Sequence, residues 1–211
     1  MNFLLTGGAG YIGSHAALSL LDAGHSVHIV DDLSTGNKSL IPKNAFFTKC
    51  NINDEEVISE LIKSNSFDLL MHFAGFIQVE ESVKYPQKYF DNNTENATKL
   101  FETCKNNGLN KIVFSSTAAA YGSVSENKLI DENTNLNPQN PYAESKIKTE
   151  NFLFENKDDY KFIILRYFNV AGADKKLRSG QISKRSTHII KILSEVVVGK
   201  RDHIEIFGND Y

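Results

Sequence analysis

The 211-residue sequence has no tryptophan, only two cysteines and four prolines, and no excess of positive charge. Each shortage excludes a class of protein. Cys50 and Cys104 lie far apart and fit neither a disulfide framework nor a metal-ligand spacing, so both are expected as reduced thiols in a cytoplasmic protein. The six histidines are scattered without ligand-like pairing, and no metal site is expected. A formal net charge of −3 argues against a nucleic-acid partner, which usually meets a basic face. No apolar run approaches the roughly 20 residues that span a bilayer, so no membrane segment is expected. The opening "MNFLLTGG" lacks a basic stretch, and its apolar run is too short for a signal peptide.

What is present is ordinary globular composition, 41% hydrophobic and 23% charged, in a chain long enough for one sizeable core and the start of a second lobe. Continuous apolar runs at 3–5, 26–31, 45–50, 67–75, 110–116 and 160–169 alternate with helical patterns at 11–24, 54–64, 92–108 and 141–156. Runs that are apolar throughout, not at every second residue, belong to strands buried on both faces. The fold class is therefore α/β, a Rossmann-like doubly wound parallel sheet. After Asn169 the texture changes to a polar, basic loop over 171–186. A helix over 187–199 and a last strand over 203–208 follow. This gives a cofactor domain at 1–169 and a partial substrate-binding lobe at 170–211.

Between the first strand and the first helix stands "TGGAGYIG", with Gly7, Gly10 and Gly13 three apart. Glycine lets backbone N–H groups approach a pyrophosphate, and the helix start at Tyr11 and Ile12 adds partial positive charge. Asp31 closes the second strand, where a carboxylate accepts from ribose hydroxyls and repels a 2′-phosphate. Asp32 adds to the repulsion, so NAD is favoured over NADP. Further on, "NPYAESK" places Tyr142 and Lys146 four apart, on one helical face. An ammonium beside a phenol, with Asn140-Pro141 putting Tyr142 in the first helical turn, should lower the tyrosine pKa and make it a usable base.

Taken in order, the glycine turn, "HFAG" at 72–75, "SST" at 115–117 and "YAESK" resemble the extended short-chain dehydrogenase/reductase family. Within it, "TGGAGYIGSH", "VEESV", "DNNTENATKL", "SSTAAAYG", "RYFNVAGA" and "VGKRDHIEIFGNDY" are similar to stretches of UDP-glucose (UDP-galactose) 4-epimerases. The resemblance implies reversible epimerisation at C4 of UDP-glucose and UDP-galactose, through a 4-keto sugar and bound NAD. Tyr142 would be the general acid/base, Lys146 would bond the nicotinamide ribose, and Thr117 would hold the sugar oxygen and relay its proton. Cofactor contacts would come from Tyr11 and Ile12, from Asp31, Asp32, Leu33, Ser34, Thr35 and Gly36, from Asn51 and Ile52, and from Phe73, Ala74, Gly75, Asn92 and Phe168. Substrate contacts would come from Asn169, His188, Ile189, Glu205, Ile206 and Phe207. Homodimers would pair through helices in 92–107 and 140–156.

There are departures from the family pattern. Asn51 stands where aspartate is usual, Ile77 where some members carry lysine, and Lys191 where proline is common. The chain also stops where members continue for roughly a third of their usual length. The absent part would carry cations for the diphosphate, so weak epimerase activity is expected. The alternatives are an NAD-binding relic without turnover, or another NAD-dependent nucleotide-sugar enzyme. A 4,6-dehydratase needs an acid and a base after the threonine, and Ala118, Ala119 and Ala120 move no proton. A decarboxylase acting on UDP-glucuronate needs an extra cation that the sequence does not locate.

Overall fold

The computed structural model describes residues 1–124, 129–183, 188–206 and 208. Six strands, β1 (Asn2–Thr6), β2 (Ser26–Val30), β3 (Phe46–Thr48), β4 (Leu69–His72), β5 (Lys111–Ser115) and β6 (Lys161–Leu165), form one sheet in the order β3-β2-β1-β4-β5-β6. Every pairing is parallel. The helices are α1 (Tyr11–Asp22), α2 (Glu55–Ser64), α3 (Val79–Lys84), α4 (Pro86–Phe90), α5 (Asn96–Asn106), α6 (Pro141–Glu155) and α7 (Ile189–Val197).

The continuous apolar strands are explained by cores on both faces of the sheet. Leu4, Val30, Leu70, Ile112 and Phe114 point to one side and pack with Ile58 and Ile62 of α2, Leu100, Phe101 and Cys104 of α5 and Leu153 of α6. Their strand neighbours Phe3, Leu5, Val27 and Ile29 point to the other side and pack with Ala17 of α1. Burying one such side chain is worth about 1.5–3 kcal/mol, so a polar residue at any of these positions would be costly.

Strand order reverses between β1 and β4. There the connecting helices leave on opposite faces and open a crevice at the carboxyl ends of the strands. The glycine turn after β1 and the loop 73–75 after β4 both lie at this crevice, tied by the Phe73 N–H to the Thr6 carbonyl at 2.9 Å. The sheet ends at β6, whose Ile163 is exposed, and α7 buries none of its residues. The strand expected over 203–208 is not formed by the described residues there, which are irregular and exposed. A strand exists through its neighbour's hydrogen bonds, and the sheet pairing stops at β6.

Candidate functional site

The first element of the site is an unguarded helix end. Gly10, the residue before α1, has no capping side chain, and the first turn of α1 carries no acid. By contrast, Asp54 caps α2 through the Val57 N–H at 3.2 Å, and Asn140 caps α6 through the Ala143 N–H at 2.9 Å. The first N–H groups of α1, around Tyr11 and Ile12, therefore keep their donor capacity and the positive end of the helix dipole for an anion. The turn below them is packed to the backbone. Gly7 has φ +73°, and a Cβ there would stand 2.4 Å from the Ala74 nitrogen.

Asp31, 8% exposed, sits at the end of β2 and binds the turn. Its carboxylate accepts from the Ala9 N–H at 3.0 Å and the Leu33 N–H at 2.9 Å. Burial pushes its pKa up, the two N–H bonds pull it down, and the charge of Asp32 adds to the rise. Asp31 thus has a structural duty that the sequence did not announce: it locks the 31–36 loop onto the glycine turn. Each carboxylate oxygen retains a lone pair for a ribose hydroxyl. Asp32 accepts from the Ser34 N–H at 2.8 Å and from Asn51 Nδ2 at 3.2 Å, which places Asn51 at the open edge of the same loop. Ser34 and Thr35 are exposed, and Gly36 lies against the Asp31 carboxylate. Ile52 is a core residue, so only its main chain faces outward.

The second element is the start of α6. The Asn140 cap and Pro141 set Tyr142 in the first turn, as expected. Lys146, one turn on and 3% exposed, donates from Nζ to the Ser115 carbonyl at 3.1 Å and lies 5.1 Å from the centre of the Phe114 ring. Burial pushes the Lys146 pKa down to about 8, against an upward pull from Glu150. Thr117 follows β5, accepts from the Ala119 N–H at 3.1 Å and faces the Tyr142 phenol closely enough to favour its ionised form. Tyr142, Lys146 and Thr117 are therefore brought together. Gly75 belongs to the same group, because a Cβ there would stand 3.0 Å from Lys146 Nζ. Phe73 and Ala74 line the same loop, half-buried.

The expected lowering of the Tyr142 pKa is not met by the protein's own groups. Burial raises it, and the Thr117 hydroxyl is the opposing influence. The reason is geometric: the Lys146 ammonium is turned onto a main-chain carbonyl, so desolvation of the phenolate wins. In the NAD-free chain Tyr142 is expected to ionise above the ordinary tyrosine range. The difference in alkaline ultraviolet titration between the natural chain and Tyr142→Phe checks this, and a transition below that range would contradict it.

Asn92 does not cap a helix. It lies in a single wide turn, Asp91–Glu95, that joins α4 to α5, and donates to Asn93 Oδ1 at 3.0 Å. Asn93, which sequence reasoning passed over, is the buried member. It accepts from the Phe76 N–H at 2.8 Å, and its Nδ2 donates to the Phe76 carbonyl at 2.9 Å and to Ser145 Oγ at 3.2 Å. It stitches the loop after β4 to α6. The wide turn was its only signal, and "DNNT" reads locally as capping chemistry. The remaining candidates all follow β6 in the chain. Phe168 is 72% exposed and Asn169 is exposed beyond β6. His188 precedes α7, and Ile189, Glu205 and Ile206 are exposed. Phe207 lies outside the described residues.

The loop after β6 docks on α1. The Tyr11 hydroxyl donates to the Gly172 carbonyl at 2.6 Å, Ser14 Oγ and Ser179 Oγ are 2.7 Å apart, and Arg178 forks onto Asp22 with both contacts at 2.8 Å. Among the described residues no helix is long and apolar enough to cross a membrane.

Comparison with known proteins agrees with this geometry. A UDP-glucose 4-epimerase of Azospirillum brasilense is 43% identical over 210 residues, covering 99% of this chain and 60% of its own. A solved UDP-glucose 4-epimerase superposes with a TM-score of 0.95 at 38% identity, covering all of this chain and 64% of its own. The Brucella ovis UDP-glucose 4-epimerase, solved in complex with NAD, gives 0.94 at 34% identity, covering all of this chain and 65% of its own. The chain thus spans just under two thirds of the length of these proteins. Its residues 3–210 match the NAD dependent epimerase/dehydratase family, a span that reaches every strand and takes in the glycine turn and α6, and the chain belongs to that family.

Proposed function

We propose that this chain carries the cofactor-binding and proton-transfer parts of a UDP-hexose 4-epimerase that interconverts UDP-glucose and UDP-galactose with bound NAD. The observation that carries the reading is the placement of Tyr142 in the first turn of α6, with Lys146 one turn along the same helix reaching the Ser115 carbonyl just before Thr117, at the crevice that also holds the uncapped end of α1. The residues present fit a dinucleotide. The helix end and glycine turn suit a pyrophosphate, and the carboxylates of Asp31 and Asp32 suit a ribose free of 2′-phosphate.

In this reading Tyr11 and Ile12 offer main-chain N–H groups to the pyrophosphate. Asp31 to Gly36 hold the adenosine ribose, and Asn51 with the main chain of Ile52 meets the adenine. Phe73, Ala74, Gly75, Asn92 and Phe168 border the nicotinamide. Lys146 Nζ holds the nicotinamide ribose and places a positive charge near the phenol. Tyr142 takes the proton from the sugar 4-hydroxyl through its phenolic oxygen and later returns it, and Thr117 holds that sugar oxygen in line. NAD, when bound, supplies reversible hydride exchange at C4. Asn169, His188, Ile189 and the segment 205–207 belong to the UDP side, in a lobe that begins at residue 170. Helices in 92–107 and 140–156 are the proposed pairing surface of a homodimer, in a cytoplasmic setting. Ala118, Ala119 and Ala120, in the short turn after Thr117, offer no acid or base for a dehydratase.

The test is to load the chain with NAD, incubate it with UDP-galactose and follow both UDP-glucose and reduced cofactor. Slow appearance of UDP-glucose without net reduction is expected. Stoichiometric accumulation of NADH would point to a dehydrogenase, and absence of product would refute the proposal. Separately, Asp31→Ala is expected to weaken NAD at least tenfold while changing NADP less, because the carboxylate meets a ribose hydroxyl in one and repels a phosphate in the other. Calorimetric titration with the two nucleotides checks this, and an equal loss for both would contradict it.

A further inference from the structure

Behind the Tyr142–Lys146 face lies a buried ion pair that the proposed chemistry does not use. Glu150 is on α6, four residues after Lys146 and eight after Tyr142, and so shares their face. It is fully buried. Arg166, the first residue after β6, donates from Nε to both Glu150 oxygens at 3.0 Å, and also from Nη2. Ser116 donates its hydroxyl to Glu150 Oε1. Arg166 Nη1 donates to the Tyr121 hydroxyl at 3.1 Å, and the guanidinium lies 5.3 Å from the centre of the Tyr121 ring. One ion pair thus joins the helix that carries Lys146, the strand end and short turn that flank Thr117, and the segment that leads to Phe168.

Such a pair is a poor investment in stability, since apolar side chains of the same volume usually do as well. What it supplies is geometry and charge at a chosen place. The groups around the Lys146 ammonium come from every neighbouring element. Tyr142 and Glu150 share α6, and His72 projects from β4, its pKa pushed down to about 3 by burial and by Lys146. The Phe114 ring and the Ser115 carbonyl belong to β5, Asn93 lies across Gly75, and Arg166 and Tyr167 follow β6. Among these Glu150 carries the one negative charge.

We propose that the Glu150–Arg166 pair is a positioning element for Lys146, locking α6 against the ends of β5 and β6 and supplying the counter-charge to the buried ammonium. The catalytic consequence rests on the function proposed above. The placement of the charge does not.

The test reads Lys146 directly in the NAD-free chain, by NMR titration with carbon-13-labelled lysine. The Lys146→Met chain assigns the resonance. In the natural chain Lys146 is expected to titrate near its shifted value of about 8. Loss of the Glu150 charge removes the upward pull, so in Glu150→Gln the titration is expected to move down by about one pH unit or more. At pH 7 a one-unit shift takes the protonated fraction of Lys146 from about nine-tenths to about half, so NAD affinity should fall by about twofold with it. Arg166→Lys keeps both charges but loses the planar fork. It is expected to leave the titration in place and to weaken NAD through looser placement alone.

A folded Glu150→Gln chain in which Lys146 titrates as before would overturn the proposal, even if its melting temperature falls. Should that variant not fold, the double change Glu150→Gln with Arg166→Gln leaves neither member of the pair as a lone buried charge, and it is read by the same criterion. A natural chain that binds no NAD, together with a downward shift in Glu150→Gln, would sink the nucleotide reading and support this one.

Discussion

A Tyr142→Phe chain loaded with NAD is expected to convert UDP-galactose about 10²–10⁴-fold more slowly than the natural chain, with its fold intact. The substitution removes one oxygen and keeps the ring, including the edge contact with Tyr89 at 6.5 Å between centroids. The structural cost is at most about one hydrogen bond, worth about 0.5–1.5 kcal/mol. The same loss on the reaction barrier would slow turnover by only about tenfold. An effect of several powers of ten therefore cannot come from loosened packing and must come from the proton that the phenol moves. Turnover measured beside thermal unfolding separates the two. Unchanged turnover in a folded chain would show that Tyr142 is not the proton-transfer group.

The next largest effect is expected at the glycine turn, as a graded pair. A Cβ on Gly13 would stand 2.3 Å from the Gly7 carbonyl oxygen and 2.9 Å from the Gly8 Cα, all of it main chain that cannot swing aside. On Gly10 the nearest atom is the same oxygen at 3.2 Å, a contact relieved by a few tenths of an ångström. Gly13→Ala must therefore lift α1 off the turn, taking the uncapped N–H groups out of register with a pyrophosphate. It is expected to lower NAD affinity by at least about 100-fold, with about 1–3 kcal/mol of lost stability from overpacking. Gly10→Ala should lose about tenfold or less. Calorimetry on both variants tests the order, and a Gly13→Ala chain that binds NAD normally would remove the turn from the site.

Much of this was readable before the fold was known, for identifiable reasons. Strands buried on both faces leave an unbroken apolar signature, so β1, β2, β4 and β5 and their parallel pairing followed from runs such as 3–5 and 110–116. The glycine spacing and the Tyr142–Lys146 spacing are local, and local spacing survives folding. What could not be read depended on distant partners. Asn93 gains its role only when Phe76 and Ser145 arrive beside it. Glu150 looked like an ordinary helix acid until Arg166, sixteen residues on, closed over it. The electrostatics of Tyr142 were misjudged because the sequence shows that Lys146 shares its face but not that the ammonium is turned onto Ser115. The segment 203–208 reads as a strand from its sequence, and among its described residues no pairing with the sheet makes it one.

The central claim is that Tyr142 and Thr117 present the sugar 4-hydroxyl so that hydride leaves C4 and returns to it within one closed site. The direct measurement is the fate of deuterium placed at C4 of UDP-galactose, incubated with the NAD-loaded chain. The account predicts UDP-glucose that retains the label at C4, because a hydride held on bound NAD does not exchange with water. UDP-glucose formed with the label lost to solvent would contradict it.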